Sequence, residues 1–174
     1  MIEASWKRIA GIHVPDEGTL SAVWLAHETD ADVIHVYDAC TFEADVMAVI
    51  AEGLNCRGRW VPIAWEKSAE KIIEKLLDRG CNTLPEGPKE TQAIAEVRSR
   101  EIQERMRTGR FRVEKRLKNW IDEAGQFYRQ DAQVPLKSFP LMAATRHAME
   151  QIDYARRQQT RRKRQTNYPN IAMI

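Results

Sequence analysis

The chain has 174 residues, with 27 Lys and Arg against 25 Asp and Glu, so its formal net charge is only +2. The length suits one domain with a sizeable hydrophobic core. The sequence shows no secretory signal and no apolar run long enough to cross a membrane, so we expect a soluble protein rather than a secreted or membrane protein. Cys40, Cys56 and Cys81 are odd in number and widely spaced and form no CxxC pair, which favours a reduced protein in the cytoplasm of a bacterial host cell over a disulfide framework.

Three short apolar segments open the chain. They cover residues 8–14, 20–27 and 33–37, and turn residues separate them. Alternating and β-branched apolar residues between turn signals are typical of strands. Both faces of these strands are largely apolar, so we expect helices to cover the sheet on both sides. The sequence therefore predicts a three-stranded meander at the start of the domain.

Helices and short strands alternate after the meander. Ser68 is predicted to cap the second helix, with Ile72, Ile73, Leu76 and Leu77 as its buried face and Gly80 as its end. Ile121 is expected to face inward on the fourth helix. The predicted helices cover residues 43–54, 68–79, 89–108, 115–128 and 139–157, the strands 60–65 and 81–84, a short extended piece 111–113 and a polar loop 130–138.

Three strands followed by alternating helices and strands predict an α/β domain with a central mixed five-stranded sheet flanked by helices, which fits the RNase H-like fold. We place this domain at residues 1–157. Residues 158–174 are polar and basic without apolar periodicity, so they are predicted to be a flexible tail.

Four segments resemble the C-terminal nuclease domain of the large terminase subunit of tailed bacteriophages. Gly11-Ile12-His13 is similar to the end of that family's first strand, and Pro62-Ile63-Ala64-Trp65 to its fourth strand. Residues 106–113 resemble its Gly-Arg-Phe-Lys/Arg-Val segment, and residues 142–148 resemble a closing helix in which Asp-Ala-Thr-Arg-Tyr is typical. The resemblance covers residues 8–157. It implies an RNase H-like fold and a role with DNA in a phage or prophage.

The resemblance also implies a chemistry, because that family cleaves DNA with two divalent ions held by carboxylates. Each position where the family's acids fall holds a residue without a carboxylate. The Ala-Thr-Arg segment of the family is kept, and we expect its arginine, Arg146, to pair with a carboxylate within the fold. The vacated positions are His13 on the first strand, Ser68 after the fourth, and Phe139, Pro140 and Ala143 at the last helix. We therefore interpret the domain as catalytically inactive, with no cofactor and no metal site.

Two alternatives remain open. In the first, the chain is an active metal-dependent DNA endonuclease whose acids have moved to Asp16, Asp38 and Glu66, and it would then use Mg²⁺ or Mn²⁺. Glu17 beside Asp16 belongs to the same hypothesis. In the second, the fold is kept purely as a protein-interaction module. The sequence has no Gly-x-x-x-x-Gly-Lys-Ser/Thr loop, so it does not predict ATP-driven DNA translocation.

Two basic stretches indicate DNA, or the phage packaging proteins that handle it, as the partner. Residues 98–118 contain nine basic and three acidic side chains, and residues 156–164 contain six basic ones and no acid. We expect truncation after Ala155 to leave the melting temperature nearly unchanged. The predicted nucleic-acid-binding residues are Arg107, Arg110, Arg112, Lys115, Arg116, Arg161, Arg162, Lys163 and Arg164.

Overall fold

The computed structural model of the chain describes residues 2–16, 19–43, 46–128, 134–136 and 138–159, except for the side chain of Asp16. Several predictions lie outside the described residues: the candidate acid Glu17, most of the loop 130–138, and the tail from residue 160 onward. The tail includes the predicted DNA-binding residues Arg161, Arg162, Lys163 and Arg164.

The predicted meander forms the centre of the sheet. Strand β1 is Lys7–Asp16, β2 is Thr19–Glu28 and β3 is Val33–Glu43, with both neighbouring pairs antiparallel. Strand β3 runs six residues beyond its predicted end at residue 37. Asp38 interrupts its apolar pattern, but the pairing continues, and the hydroxyls of Ser21 and Thr41 lie 2.9 Å apart across the two strands.

Two short parallel strands complete the sheet. Strand β4, Ile63–Ala64, pairs with β1, and β5, Phe111–Val113, pairs with β3, which gives the order β4-β1-β2-β3-β5. The predicted mixed five-stranded sheet is therefore confirmed. The predicted fifth strand at 81–84 is wrong, because this segment makes only one bridge, between Thr83 and Ile63. Phe111–Val113 fills the fifth place by pairing along the open edge of β3.

In the described ranges, five helices flank the sheet, and 3₁₀ turns precede the second and follow the last. Ser68 lies in the first of these turns and supplies no helix cap, contrary to the prediction. Gly80 follows the second helix with φ of +73°, as expected of a helix stop. The elements are α1 Met47–Asn55, Lys67–Ala69 (3₁₀), α2 Glu70–Leu77, α3 Gln92–Arg107, α4 Lys118–Phe127, α5 Pro140–Glu150 and Ile152–Tyr154 (3₁₀).

Two apolar side chains predicted to face the core are instead exposed. Leu77 is 53% exposed at the end of α2, and Ile121 is 42% exposed on α4. On α2 the buried residues are Ile73 and Leu76, so the buried face of the helix is narrower than the apolar face predicted from the sequence. No helix in the described part of the chain is long and apolar enough to cross a membrane.

Helix α5 lies directly across β1 in the core. A Cβ atom on Gly11 would stand 2.0 Å from the carbonyl oxygen of Ala144 and 2.8 Å from the Cβ of Ala148. A side chain at residue 11 would therefore force the helix away from the strand. The residues of α5 from Leu141 to Met149 are all buried, so the helix is held in a fixed position beside the end of β1.

The chain after α5 returns to the sheet. The amide of Arg8 donates to the carbonyl of Arg156 at 2.7 Å, and the amide of Arg156 donates to the carbonyl of Arg8 at 3.0 Å. Arg157 also donates to the hydroxyl of Thr29 at 3.4 Å. This pairing counts against the prediction that truncation after Ala155 leaves the melting temperature nearly unchanged, because residue 156 pairs with β1.

Candidate functional site

A cleft of about 650 Å³ lies beside the end of β1. Strand β1 supplies His13 to it, and the turn after β4 supplies Glu66 and Ser68. The structure thus brings together two of the vacated positions and one candidate substitute acid. The other lining residues are Val14, Pro15, Lys71, Ile72, Lys75, Glu90 and Leu136.

Helix α5 places a second histidine, His147, next to His13. The imidazoles of His13 and His147 face each other with ring centroids 5.4 Å apart. The Nδ1 atom of His147 lies 2.8 Å from the carbonyl oxygen of Ile12. A carbonyl only accepts hydrogen bonds, so Nδ1 must carry the proton. The other ring nitrogen, Nε2, points towards Glu90. Ala143 lies one helical turn before His147 and is fully buried.

A buried ion pair stands at the back of the cleft. The guanidinium of Arg146 donates from Nε and Nη2 to the two carboxylate oxygens of Glu90, at 2.7 and 3.1 Å. The Arg146 side chain is fully buried and that of Glu90 is 9% exposed. This pair confirms the prediction that Arg146 meets a carboxylate within the fold. His147 Nε2 lies 3.5 Å from Glu90 Oε2 and is a second positive partner of Glu90 when the ring is protonated.

The surroundings of Glu90 act on its carboxyl group in opposite directions. Burial by itself raises the pKa of Glu90, while the hydrogen bonds from His147 and Arg146 lower it, and the net result is a pKa of about 2. Glu90 is therefore an anion at neutral pH, with its charge compensated inside the protein.

The remaining vacated positions at the start of α5 serve packing and helix initiation. The ring of Phe139 packs edge-on against Phe127 at 5.5 Å, and Pro140 occupies the first helical turn. The carboxylate of Glu123 accepts a hydrogen bond of 2.8 Å from the amide of Met142 and so caps the helix. Burial raises the pKa of Glu123, while its bonds to the helix amides lower it, and the rise prevails.

The structure does not bring Asp38 to the cleft. Asp38 lies on β3, where Arg57 Nε holds it at 2.6 Å and Arg116 approaches it at 3.6 Å. Strand β3 is three positions from β4 in the sheet, which corresponds to about 14 Å at the usual strand spacing. The cluster of relocated acids is thereby reduced to Glu66 and to Asp16, whose side chain lies outside the described residues.

The predicted basic face near Gly109 is largely paired within the chain. Arg107 binds Glu104 at 2.7 Å, Arg110 binds Asp32 at 3.2 Å and Arg116 binds Glu114 at 2.7 Å. The Nε atom of Arg112 donates to the carbonyl of Gly109 at 3.3 Å. Lys115 is exposed.

Sequence reasoning missed Glu90, Lys71 and Lys75 at this site. Glu90 follows a Pro-rich loop and precedes Thr91, whose hydroxyl caps α3. This sequence context predicts an ordinary surface acid at position 90. The spacing of Lys71 and Lys75 predicts the solvent-exposed face of an amphipathic helix. The retained Ala-Thr-Arg segment was the one signal that pointed to a buried acid opposite Arg146.

Comparison with solved structures identifies the architecture. The nuclease domain of the phage P22 large terminase superposes with a TM-score of 0.79 at 16% identity, covering 90% of this chain and 87% of that one. The manganese-bound large-terminase nuclease domain of bacteriophage SPP1 gives 0.63 at 18% identity, covering 84% and 86%. The magnesium-bound large-terminase nuclease of thermophilic phage G20c gives 0.61 at 14% identity, covering 86% and 84%.

This chain has the fold of the terminase nuclease domains. The predicted resemblance and the RNase H-like fold are thereby confirmed. No protein-family model matches the sequence, and no curated protein matches it at a significant level.

The described residues around the cleft of this terminase-nuclease-like domain do not fit a pair of divalent ions. Two such ions bring four positive charges, which several carboxylates must offset. Among the residues that the structure describes, no group of three or more His, Cys, Asp or Glu side chains could hold a metal ion. Glu90 is already compensated by Arg146, and His13, Ser68 and Ala143 supply an imidazole, a hydroxyl and a methyl group.

Proposed function

We propose that this chain is a phage or prophage domain of the terminase-nuclease type that binds nucleic acid, or the proteins that package it, without cleaving it. The observation that carries the proposal is the Arg146–Glu90 pair. In it the buried acid that lies 3.5 Å from His147 is bound on both oxygens by a guanidinium. Because the guanidinium offsets its charge, an acid held in this way contributes little of the negative charge that a metal pair requires.

The chemistry of the other positions supports the same conclusion. Phosphodiester hydrolysis by the two-metal route needs an activated water and a stabilised leaving oxygen, and the ions provide both. Hard cations bind weakly to a neutral imidazole and a lone hydroxyl. The fold is retained over most of the chain, which is what a protein that binds the same class of partner would keep.

The experiment that tests this function is a cleavage assay paired with a binding assay. We expect no cleavage of supercoiled plasmid in millimolar Mn²⁺, no rise in melting temperature on adding Mn²⁺, and retention of duplex DNA in a buffer with EDTA. Metal-dependent cleavage would overturn the proposal. Failure to bind DNA would remove its nucleic-acid half and leave packaging proteins as partners.

A second candidate function is an active nuclease, and one observation favours it. Glu66 and Glu90 both line the cleft beside His13, so two carboxylates are present near the expected reaction site. In that case cleavage would appear in Mn²⁺ and disappear in Glu66→Ala. The matched control is Glu70→Ala, which removes a carboxylate in the exposed ion pair with Lys67.

A further inference from the structure

We infer that the nucleic-acid strand is bound in the cleft itself, by the ammonium groups of Lys71 and Lys75 acting on phosphodiester oxygens without a metal ion. This inference rests on the proposed function and names its binding surface and ligand chemistry. It differs from the prediction made from sequence, which placed the contact on the arginines around Gly109.

The position of the two lysines follows from the packing of α2. Ile73 and Leu76 are buried against the core, which leaves Lys71 and Lys75 exposed on the side of the helix that forms the cleft wall. Residues four apart on a helix lie on the same face, with Cβ atoms about 6 Å apart. The two ammonium groups therefore reach one cleft together.

The charges in and around the cleft leave these two lysines uncompensated. Among the described residues neither Lys71 nor Lys75 has an ion-pair partner, whereas the neighbouring Lys67 binds Glu70 at 2.9 Å. Of the two described acids that line the cleft, Glu90 is already bound by Arg146, so Glu66 is the one whose charge is not compensated within this group. The part of the cleft wall that the structure describes thus presents two positive charges against one.

The basic face near Gly109 is less suited than the cleft to binding a phosphate group. Arg107, Arg110 and Arg116 each bind a carboxylate of the chain, so a phosphate there would have to displace an existing partner. An ammonium group exposed to water loses only hydration and counterions on meeting a phosphate, and release of those counterions favours binding. Lysine also suits phosphate as a mobile point charge that needs no fixed geometry.

The other groups of the cleft suit a phosphodiester strand. Ser68 places an exposed hydroxyl on the wall, and a hydroxyl is a hydrogen-bonding group that serves phosphate or sugar oxygens. A volume of about 650 Å³ admits a backbone segment, and the cleft is open to solvent. An acidic protein segment is the rival occupant, and it is separated by the experiment.

The test measures binding of fluorescently labelled duplex and single-stranded DNA to the full chain in EDTA, as a function of salt. We expect Lys71→Ala/Lys75→Ala to weaken binding about tenfold at low salt and to make the slope of log affinity against log salt less negative by about 1.8 for the duplex. Glu66→Gln should tighten binding, because it removes the opposing charge. Both lysines are exposed, so the melting temperature of the double variant should stay within a degree or two of the parent.

The matched control is Lys115→Ala/Lys118→Ala, which removes the same charge from exposed positions outside the cleft. Equal loss in both double variants, or loss in the control alone, would overturn the cleft assignment while leaving DNA binding intact. Absence of DNA binding by the parent protein would overturn the function and the site together. Displacement of DNA by poly-glutamate at equal charge concentration would show that the cleft takes any polyanion and would overturn the assignment to phosphodiesters.

Discussion

His13 at the end of β1 and His147 in the middle of α5 face each other across the junction of strand and helix, with ring centroids 5.4 Å apart. Both stand at positions where the terminase pattern has a different residue, an Asp in the first case and a Tyr in the second. The two departures are thus neighbours in space although they lie near opposite ends of the chain. Through the hydrogen bond of His147 to Ile12, they tie the helix to the strand where the metal site is expected.

The first prediction concerns the buried Arg146–Glu90 pair. Glu90→Gln should lower the free energy of unfolding by about 3–5 kcal/mol, because it leaves a fully buried guanidinium without its counter-charge. The measurement is urea denaturation followed by circular dichroism. Glu70→Gln breaks the exposed pair with Lys67 and should cost about 0–1 kcal/mol. Equal effects of the two substitutions would contradict the role given to Glu90.

The second prediction is a pH dependence that follows from the same residue. The pKa of Glu90 falls from an ordinary value of 4.5 to about 2 on folding. A depressed carboxyl pKa stabilises the folded state above the unfolded value, and the contribution is lost as pH falls through the folded value. The free energy of unfolding of the parent should therefore drop between pH 4.5 and 2 relative to Glu90→Gln. Parallel profiles for the two proteins would show that Glu90 titrates normally.

The third prediction concerns the end of the folded domain. Truncation after Ala155 should lower the free energy of unfolding by about 1–3 kcal/mol, because it removes two backbone hydrogen bonds between Arg8 and Arg156. Truncation after Gln159 keeps both bonds and is the matched control. Differential scanning fluorimetry of the two truncations and the full chain measures the effect. Identical melting temperatures for all three would mean that the bridge contributes nothing.

The fourth prediction restores the acids at the vacated positions. His13→Asp/Ser68→Asp/Ala143→Asp should be less stable than the parent without metal, because Ala143 is fully buried and a charge there is desolvated. Adding Mn²⁺ should raise its melting temperature, because the ions offset the new charges. The control carries Asn at the same three positions, which keeps the size and removes the charge. A triple Asp variant without any metal-induced shift would count against the terminase-type geometry at this site.

The fold was largely readable from the sequence because its signals are local. Apolar alternation, turn residues and Gly80 place the meander and most helices within a few residues of their observed bounds. The errors have a tertiary cause. Strand β3 continues past Asp38 because β2 is there to pair with it, and residues 111–113 become a sheet strand because the edge of β3 is open. Neither partner is visible in a short window of sequence.

The candidate site shows the same division more sharply. The residue types at positions 13, 68 and 143 are a property of the sequence, and with the retained Ala-Thr-Arg segment they predicted a terminase-like fold and led to the hypothesis that its acids are lost. Which charges meet there was decided only by the tertiary structure. Glu90 pairs with Arg146, which is 56 residues away in sequence, and Asp38 lies on β3, where it pairs with Arg57. Coulomb and hydrogen-bond energies depend on distances of a few ångströms, and the packing of α5 against Gly11 fixes the position of the helix that carries Arg146.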